Sequence, residues 1–487
     1  MTGASARRRS GLGTLLLLGG CTVGPDFHTP APPAATAYDR EGTPAMVAPV
    51  GVAGGTQQWV DGRLRDGWWH AFGSVALDRL IDAGLRANTD LAATRAALAV
   101  ARESWLASRG VMVPSVDVAA GSSRNKGSEY LSPALNATTF TYGLQTAQVT
   151  VGYNFDLFGL NRRTVEAARA QVDSAEWQTQ GARISLINTL IAAAFADAAA
   201  RAQVAAQERM IAIARETRDI VERQRASGQV SGADVLAQDT AVAQAEAGLP
   251  PLRRVAAQAH NLVAYLTGRS AADALPDAVD WNAIALPHDL PLTLPSALVR
   301  QRPDIRAAEA NLHAASAGIG IAIANRLPQL TLSASAGGNS AGWSDLLSAT
   351  RSFWSIGAGV TQPVFAGGAL LHRQRAAHAA YDEADAQYRS AVLGAFRNVA
   401  DTLAALRTDA DGLRSAQAAR DTAQASLAVS RRQYEAGATP FVAVLTAEAA
   451  LRQAEQALVQ AQLARLTDTA ALFEALGGDW QSAAAAG

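Results

Sequence analysis

The stretch "AQVTVGYNFDL" at residues 147–157 alternates between large apolar side chains and small or polar ones. A strand built from it carries two different faces, with Val149, Val151, Tyr153 and Phe155 on one and Gln148, Thr150, Gly152 and Asn154 on the other. A strand that crosses a bilayer needs about 9–11 residues. Lipid outside and water inside require one apolar face and one polar face. The stretch therefore predicts a strand in the wall of a membrane β-barrel.

Three more stretches alternate in the same way: "SVDVAAGSS" (115–123), "QLTLSASAGG" (329–338) and "FWSIGAGVTQPV" (353–364). Four strands cannot close a barrel, because the smallest membrane barrels have about 8, and lipid does not tolerate open sheet edges. The chain is therefore expected to oligomerise. Residues 124–141 and 339–352 are expected to form loops outside the cell, with the helices on the periplasmic side.

Very long helical runs follow the strand pairs. Residues 162–226 contain no proline and one glycine, and residues 369–436 contain no proline and two glycines. A helix of 65 residues is roughly 98 Å long, which is abnormal for a globular domain and predicts coiled-coil packing. A soluble helical bundle explains these runs equally well, but it does not explain the strands.

The chain contains an internal repeat, because "GQVSGADVL" (228–236) returns 209 positions later as "GATPFVAVL" (437–445). Each copy is predicted to run helix, strand, strand, long helix, tip turn and returning helix. Gly228 and Gly437 are suited to end a helix in the left-handed conformation.

The restart of each returning helix has its own signal. Ser231 and Asp234 form a capping-box pattern, and Thr439-Pro440 offers an N-cap followed by a proline in the first helical position. Pro250-Pro251 is expected to kink the first returning helix.

Bulk composition excludes several function classes. The net charge of −1 argues against a nucleic-acid partner, and the single cysteine excludes an internal disulfide. His372 and His378 are six residues apart and do not share a helix face, so no metal site and no cofactor are expected. No phosphate loop, nucleophile elbow or paired-carboxylate motif is found, so the chain is not expected to be an enzyme.

The N-terminus has the pattern of a targeting segment. Arg7 to Arg9 are followed by an apolar run, Leu12 to Leu18, and then by "LGGC", which resembles the bacterial lipoprotein box and ends at Cys21. Lipidation of Cys21 is predicted, and Thr22 after it resembles an outer-membrane address. The alternative is an ordinary signal peptide with a cysteine there by chance.

Three longer stretches carry a family resemblance: "CTVGPDF" (21–27), "GWWHAF" with "LDRLIDAGLRANTDL" (67–91), and "LPSALVRQRPDIRAAEANLHAASAGIGIAIANRLPQLTL" (294–332). On these the chain resembles the outer-membrane factors of the TolC type, in the lipoprotein branch that serves resistance-nodulation-division (RND) efflux pumps.

The resemblance implies an α+β membrane protein, a homotrimer whose twelve-stranded outer-membrane β-barrel (four strands per chain) continues into a periplasmic α-helical coiled-coil barrel. It implies an exit duct that passes small toxic compounds from a periplasmic adaptor (membrane fusion) protein and an inner-membrane RND-type pump to the outside. Two alternatives stay open: a duct of the same fold for type I protein secretion, and a non-channel coiled-coil lipoprotein scaffold.

The expected domains are a lipoprotein signal peptide (1–20), a lipid-anchored N-terminal segment (21–77), a first repeat (78–268), a linker (269–293), a second repeat (294–478) and a tail (479–487). The adaptor is expected at the tips, on Gly228, Val230, Ser231, Gly437, Thr439 and Pro440. A gate is hypothesised in which the Tyr434 hydroxyl donates to the Asp234 carboxylate between hairpins. The alternative is that Asp234 only caps its own helix.

Overall fold

The computed structural model of the chain describes residues 22–31, 37–38, 46–47, 57–61, 67–128, 139–275, 277–292, 295–346 and 348–478. Cys21 and the signal segment before it lie outside the described residues, as do residues 129–138 and the predicted tail 479–487. The described helices are α1 Val75–Ala87, α2 Thr89–Arg109, α3 Leu160–Ala226, α4 Gly232–Ala247, α5 Leu249–Leu266, α6 Pro295–Gln301, α7 Pro303–Ala324, α8 Ala369–Glu435 and α9 Phe441–Ala475. The described strands are β1 Met46–Val47, β2 Gln57–Asp61, β3 Ser115–Ser128, β4 Thr139–Phe155, β5 Asp289–Leu292, β6 Gln329–Ser340 and β7 Ser352–Thr361.

The element order repeats as the sequence predicts. The first copy runs α2, β3, β4, α3 and then α4 with α5, and the second runs α7, β6, β7, α8 and α9. Helices α3 and α8 each contain 67 residues. Grouping by contacts divides the chain into two units, one of residues 1–30, 97–175 and 307–388 and one of residues 31–96, 176–306 and 389–487. Each unit therefore takes segments from both repeats.

The returning helix of the first copy is broken and that of the second is continuous. Helix α4 ends and α5 begins at Gly248, whereas α9 runs through 35 residues. The break lies just before Pro250-Pro251, which occupy the first turn of α5. Proline is tolerated in a first turn because its missing N–H would have no partner there. The expected kink is thus a helix break placed slightly earlier in the chain.

The strand ends differ from the predicted ones. Strand β3 continues to Ser128 and β4 already begins at Thr139, so both ends of the expected loop 124–141, residues 124–128 and 139–141, are strand. At its other end β4 stops before Asp156, because that carboxylate accepts hydrogen bonds from the backbone N–H groups of Asn161 and Arg162, both at 3.0 Å. Asp156 thus lies after the strand and accepts hydrogen bonds from the first turn of α3.

The second unit has a core built by α1, α3, α9 and the turn before α1. Phe72 lies edge-on to Phe195 with ring centroids 5.1 Å apart, and Trp68 lies 4.8 Å from Phe473. One stretch of α3 is long enough and apolar enough to cross a membrane. However, 61% of it is buried within the protein, as in a core helix. A small mixed sheet, in the order β1-β2-β5, was not predicted from the sequence.

Candidate functional site

The larger sheet has the strand order β3-β4-β6-β7 and is antiparallel throughout. Its register brings the apolar residues of all four strands to the same face, because directly opposed residues in an antiparallel pair point the same way. One cross-strand row is Val116, Val151, Ala334 and Ile356, and the next is Val118, Val149, Ala336 and Trp354. We call the face that carries these rows the apolar face. Trp354 and Ile356 are 76% and 78% exposed on it.

The opposite face, called the polar face below, carries small and hydroxylated residues. Its corresponding rows are Ser115, Gly152, Ser333 and Gly357, and then Asp117, Thr150, Ser335 and Ser355. The Ser335 and Ser355 hydroxyl oxygens are 2.8 Å apart across the pair. The alternation predicted for each strand is thus confirmed, and the strands combine into one two-faced sheet.

Among the described residues, β3 and β7 form the outer edges of this sheet and pair on one side only. An unpaired edge leaves a row of backbone N–H and C=O groups without partners. In hydrocarbon each such group costs several kcal/mol, so this four-stranded sheet is stable in lipid only when further chains complete it. The sheet is built as one part of a closed barrel.

The two tip turns have the same backbone. At the first, the Gly228 N–H donates to the Arg225 oxygen at 2.9 Å and the Gln229 N–H to the Gln224 oxygen at 2.9 Å. At the second, the Gly437 N–H donates to the Tyr434 oxygen at 2.9 Å and the Ala438 N–H to the Gln433 oxygen at 2.8 Å. Gly228 and Gly437 have φ of 77° and 69°, the left-handed region expected for both.

The restart after the first turn is a complete capping box. The Ser231 side chain accepts from the Asp234 N–H, and the Asp234 carboxylate accepts from the Ser231 N–H at 2.8 Å and from its hydroxyl at 2.7 Å. These hydrogen bonds lower the pKa of Asp234 below its ordinary value. Val230, the preceding residue, is half-buried.

The restart after the second turn differs from the prediction. Pro440, not Thr439, is the N-cap of α9, and no side chain caps the helix there. The Thr439 hydroxyl is enclosed and has no hydrogen bond with the described residues. The physical reason lies in the first helical residue, Phe441, which is 5% exposed and packs with Leu427, Val444 and Ala447. Apolar burial fixes the start of this helix.

The hypothesised gate residues have separate partners within one chain. Asp234 is held by Ser231, and the Tyr434 ring packs edge-on to Phe441 with centroids 5.0 Å apart. Burial raises the pKa of Tyr434, and the charge of Asp234 raises it further. The capping role of Asp234 is thus observed, and the tie between hairpins stays a prediction.

The segment directly after Cys21 carried part of the family resemblance, but no contact was predicted for it from the sequence. The strap, residues 22–30, follows the start of α3: the Val23 N–H donates to the Phe158 oxygen at 3.1 Å. The buried Arg163 guanidinium donates to the Val23 oxygen at 3.3 Å, to Asp26 at 2.7 Å and to Glu166 at 2.8 Å. Burial lowers the pKa of Arg163, but Glu166 and Asp26 more than offset this and raise it.

Two further contacts hold the strap against α7. Phe27 stacks on His313 with ring centroids 4.5 Å apart, and the Thr29 hydroxyl donates to Glu309 at 2.8 Å. Gly24, with φ of 95°, lies so close to α7 that a Cβ there would come within 2.5 Å of the Gly320 Cα. In the sequence, Gly24, Gly320 and Asp26 are the residues that could have indicated this contact. Nothing local in the sequence pairs Asp26 with Arg163, which is 137 residues away.

A buried polar cluster, also not predicted, joins α8, α9 and β2. Arg465 is 1% exposed and donates to the Gln57 side-chain oxygen at 3.3 Å, and the Gln57 amide donates to the Thr469 hydroxyl at 3.2 Å. Beside Arg465, burial and the neighbouring Asp468 raise the pKa of Asp409 to about 7. The Asp409 carboxyl group therefore gains or loses its proton near neutral pH.

Comparison with known proteins places this architecture. The family model described as "Outer membrane efflux protein" matches residues 80–269 and 294–478. The chain is 30% identical over 476 residues to the toluene efflux pump outer membrane protein TtgC of Pseudomonas putida, with 96% of this chain and 94% of TtgC covered. It is 30% identical over 470 residues to the outer membrane protein OprJ of Pseudomonas aeruginosa, with the same coverage. The solved outer-membrane channel OprN superimposes with a TM-score of 0.85 at 28% identity, covering 95% of this chain and 100% of OprN.

Proposed function

The chain belongs to the outer membrane efflux protein family, whose members are transport proteins of the outer membrane, and we propose that it carries small apolar toxic compounds out of the cell for an RND-type pump. Its fold is that of the trimeric outer-membrane channels, with four barrel strands per chain and long periplasmic helices. The cargo class is supported by the likeness to TtgC, which is named for toluene efflux. The pump and its adaptor are proposed as partners.

The single observation that carries the channel function is the two-faced sheet with open edges. Its apolar face suits lipid and its polar face suits a water-filled lumen. Three copies place twelve strands in one closed barrel, which leaves no strand edge in the hydrocarbon. Each feature of the sheet is thus explained by a water-filled duct through the outer membrane.

Two neighbouring residues of β4 test the arrangement. Val151 lies on the apolar face and Gly152 on the polar face. We expect Val151→Arg to cost about 2–4 kcal/mol if the residue is near the membrane midplane, seen as loss of the heat-stable trimer. Gly152→Arg keeps the trimer and lowers its conductance in planar bilayers. Equal loss of trimer for both variants would contradict the assignment of the faces.

A strain that lacks its own efflux duct tests the cargo. The chain, expressed with an RND pump and its adaptor, is expected to restore tolerance to toluene. Wild type is compared with Gly152→Arg, which narrows the duct without removing the trimer. If the chain restored secretion of a type I protein substrate but not toluene tolerance, the proposed cargo would be wrong and the proposed channel function would stand.

We propose that the adaptor docks on the two tips, at Gly228, Val230 and Ser231 and at Gly437, Thr439 and Pro440. The tips share a backbone but differ in side chains, so they are similar and unequal partners. Photocrosslinkers at positions 230 and 439 are expected to capture the adaptor in cells, and a crosslinker at position 128 is the control. If the adaptor were captured only at position 128, the proposed orientation of the chain across the outer membrane would be wrong.

We propose that the gate is closed when the Tyr434 hydroxyl of one chain donates to the Asp234 carboxylate of a neighbouring hairpin. A hydrogen bond to a charged acceptor is worth about 1.5–3 kcal/mol. Tyr434→Phe keeps the packing on Phe441 and is expected to make the closed channel leak, measured as raised conductance and vancomycin sensitivity. If Tyr434→Phe is silent, Asp234 acts only as the cap of α4.

We propose that Cys21 is acylated and that the mature chain begins there. In support, the strap places Thr22, the next residue, within contact distance of Gly159 just after strand β4, near a strand end and therefore near a membrane surface. One acyl chain gives only marginal binding, and stable anchoring takes more than one. Mass spectrometry of the mature protein is expected to show a modified Cys21, and an unmodified thiol would refute the proposal.

A further inference from the structure

Strands β3 and β4 continue past the four-stranded part of the sheet. Residues 145–152 of β4 pair with both β3 and β6 and residues 153–155 with β6 only, but residues 139–144 pair with β3 only. We call this part, residues 123–128 with 139–144, the hairpin extension. The register is continuous from Ser115 opposite Gly152 to Ser128 opposite Thr139. The two faces can therefore be followed without a break into the extension.

The character of both faces changes at the same row. On the apolar face the last rows are Ala120 with Ala147 and then Ser122, Gln145 and Ser340, after which come Arg124 opposite Gly143 and Lys126 opposite Thr141. On the other face, Leu144 and Tyr142 follow Gln148 and Thr146. Cations thus replace apolar residues on the side that faces lipid lower down. The hydrocarbon layer must end near the row of Ser122.

The height of the apolar band agrees with this boundary. From Phe155 to Gln145 a strand rises about 34 Å along its own axis. With the usual tilt this is roughly 26 Å along the membrane normal, close to the band of about 25 Å in such barrels. Arg124, opposite Gly143 and two residues beyond Gln145, therefore lies at the level of the outer-leaflet headgroups, with Lys126 just above it.

Both cations are exposed, and within the described ranges neither has a carboxylate within ion-pair distance. The neighbouring cation differs in this respect: Arg351 lies 3.6 Å from Asp345 and donates to the Ser340 hydroxyl at 3.0 Å. Two exposed cations that follow an apolar band match an anionic lipid surface. They are two residues apart on one face, roughly 7 Å along the strand.

We propose that Arg124 and Lys126 bind the phosphate groups of lipopolysaccharide in the outer leaflet. The guanidinium fork of Arg124 suits bidentate contact with one phosphate, and the Lys126 ammonium adds a point charge beside it. A trimer carries three such sites around its rim. The site faces lipid rather than the lumen, so it is independent of the cargo and of the proposed pump.

The test uses the purified trimer in nanodiscs and lipid A as the probe, with lipid binding counted by native mass spectrometry. Arg124→Gln with Lys126→Gln is expected to weaken binding of the phosphorylated lipid by on the order of 25-fold, from about fivefold for each cation. The swap Arg124→Lys with Lys126→Arg keeps both charges and is expected to retain most of the binding. Removal of the lipid A phosphates should weaken binding to wild type as much as the double Gln variant does.

Arg351→Gln is the matched control, because it removes one cation near the same rim that already has a carboxylate partner. Equal loss of lipid binding in this control would overturn the site, as would undiminished binding in the double Gln variant. If the double Gln variant loses the trimer even without lipid, the two cations hold a neighbouring chain and the proposal is wrong. Competition by millimolar inorganic phosphate would point to a free-anion site and would also overturn it.

Discussion

The two helical hairpins turn in the same way but are held together by different forces. The first hairpin, α3 with α4 and α5, carries three cross-helix ion pairs between exposed side chains: Arg215–Glu246, Arg218–Asp239 and Arg253–Glu208. The second hairpin, α8 with α9, has the pair Arg431–Glu448 and, at its tip, the cluster of Leu427, Phe441, Val444 and Ala447. The first copy thus has more cross-helix ion pairs and a polar cap at its tip, whereas the tip of the second copy is fixed by apolar burial.

The comparison teaches that the repeat preserves geometry and not chemistry. Equivalent amides donate to equivalent carbonyl groups at both turns, but the residue after each turn differs. Gly232 begins α4 in the first hairpin, and Phe441, its equivalent, begins α9 in the second. The two tips should therefore respond differently to truncation, pH and salt.

The largest expected effect is the loss of the Phe441 ring. Phe441→Ala removes a buried aromatic side chain, and such changes cost about 3–5 kcal/mol. We expect the tip of the second hairpin to open, measured as faster amide hydrogen exchange around 427–447, while the first tip keeps its protection. Val444→Ala and Val235→Ala, the same change at equivalent buried positions, form the matched pair. Equal loosening of both tips would break the comparison.

The next effect concerns the capping box. Ser231→Ala removes the side-chain acceptor at the start of α4, and loss of an N-cap costs about 0.5–2 kcal/mol. Thr439→Ala is the control at the equivalent site of the second tip, where the hydroxyl caps nothing. Exchange at the first tip should rise for Ser231→Ala and stay unchanged at the second for Thr439→Ala. A destabilising Thr439→Ala would restore the cap that the sequence suggested.

Much of this architecture could be predicted from the sequence because it rests on local patterns. Some patterns depend only on the local backbone conformation: the alternation in 147–157, the glycines at 228 and 437, and the Ser231–Asp234 spacing. The N-cap at 440 could not be predicted, because the burial of Phe441 against Leu427 depends on how two helices pack. The strap and the Arg465 cluster escaped for the same reason, since Asp26 is 137 residues from Arg163 and Gln57 is 408 from Arg465.

The two hairpins should respond to pH with opposite sign. The pKa of Asp234 is lowered by its hydrogen bonds to Ser231, so its contribution is present above the ordinary carboxyl pKa and is lost as pH falls through the lower, folded value. The pKa of Asp409 is raised to about 7 by burial and by Asp468, with Arg465 opposing, so stability there is lost as pH rises from about 4 through about 7.

Hydrogen exchange at pH 5 and pH 8, corrected for the intrinsic exchange rate at each pH, tests the response at Asp409 with the first tip as reference. We expect α8 and α9 around Asp409 to loosen at the higher pH, and Asp409→Asn to remove most of that dependence because its amide carries no charge. The first tip should show no loosening over this range, since Asp234 is ionised throughout. A pH response that persists in Asp409→Asn would assign it to another group.

The smallest expected effect is a difference between the two hairpins in how their stability depends on ionic strength. Glu246→Gln breaks the pair with Arg215, and an exposed pair is worth about 0.2–1 kcal/mol. Salt screens such pairs, because the Debye length falls from about 10 Å at 0.1 M to about 3 Å at 1 M. Raising salt should therefore loosen the first hairpin and leave the apolar tip of the second unchanged, or slightly firmer if the salt is sulfate.

In Glu246→Gln the salt response of the first hairpin should shrink, because one of its three pairs is already absent. The same response in both hairpins would mean that the ion-pair ladder contributes nothing, and that apolar packing holds the first hairpin as well.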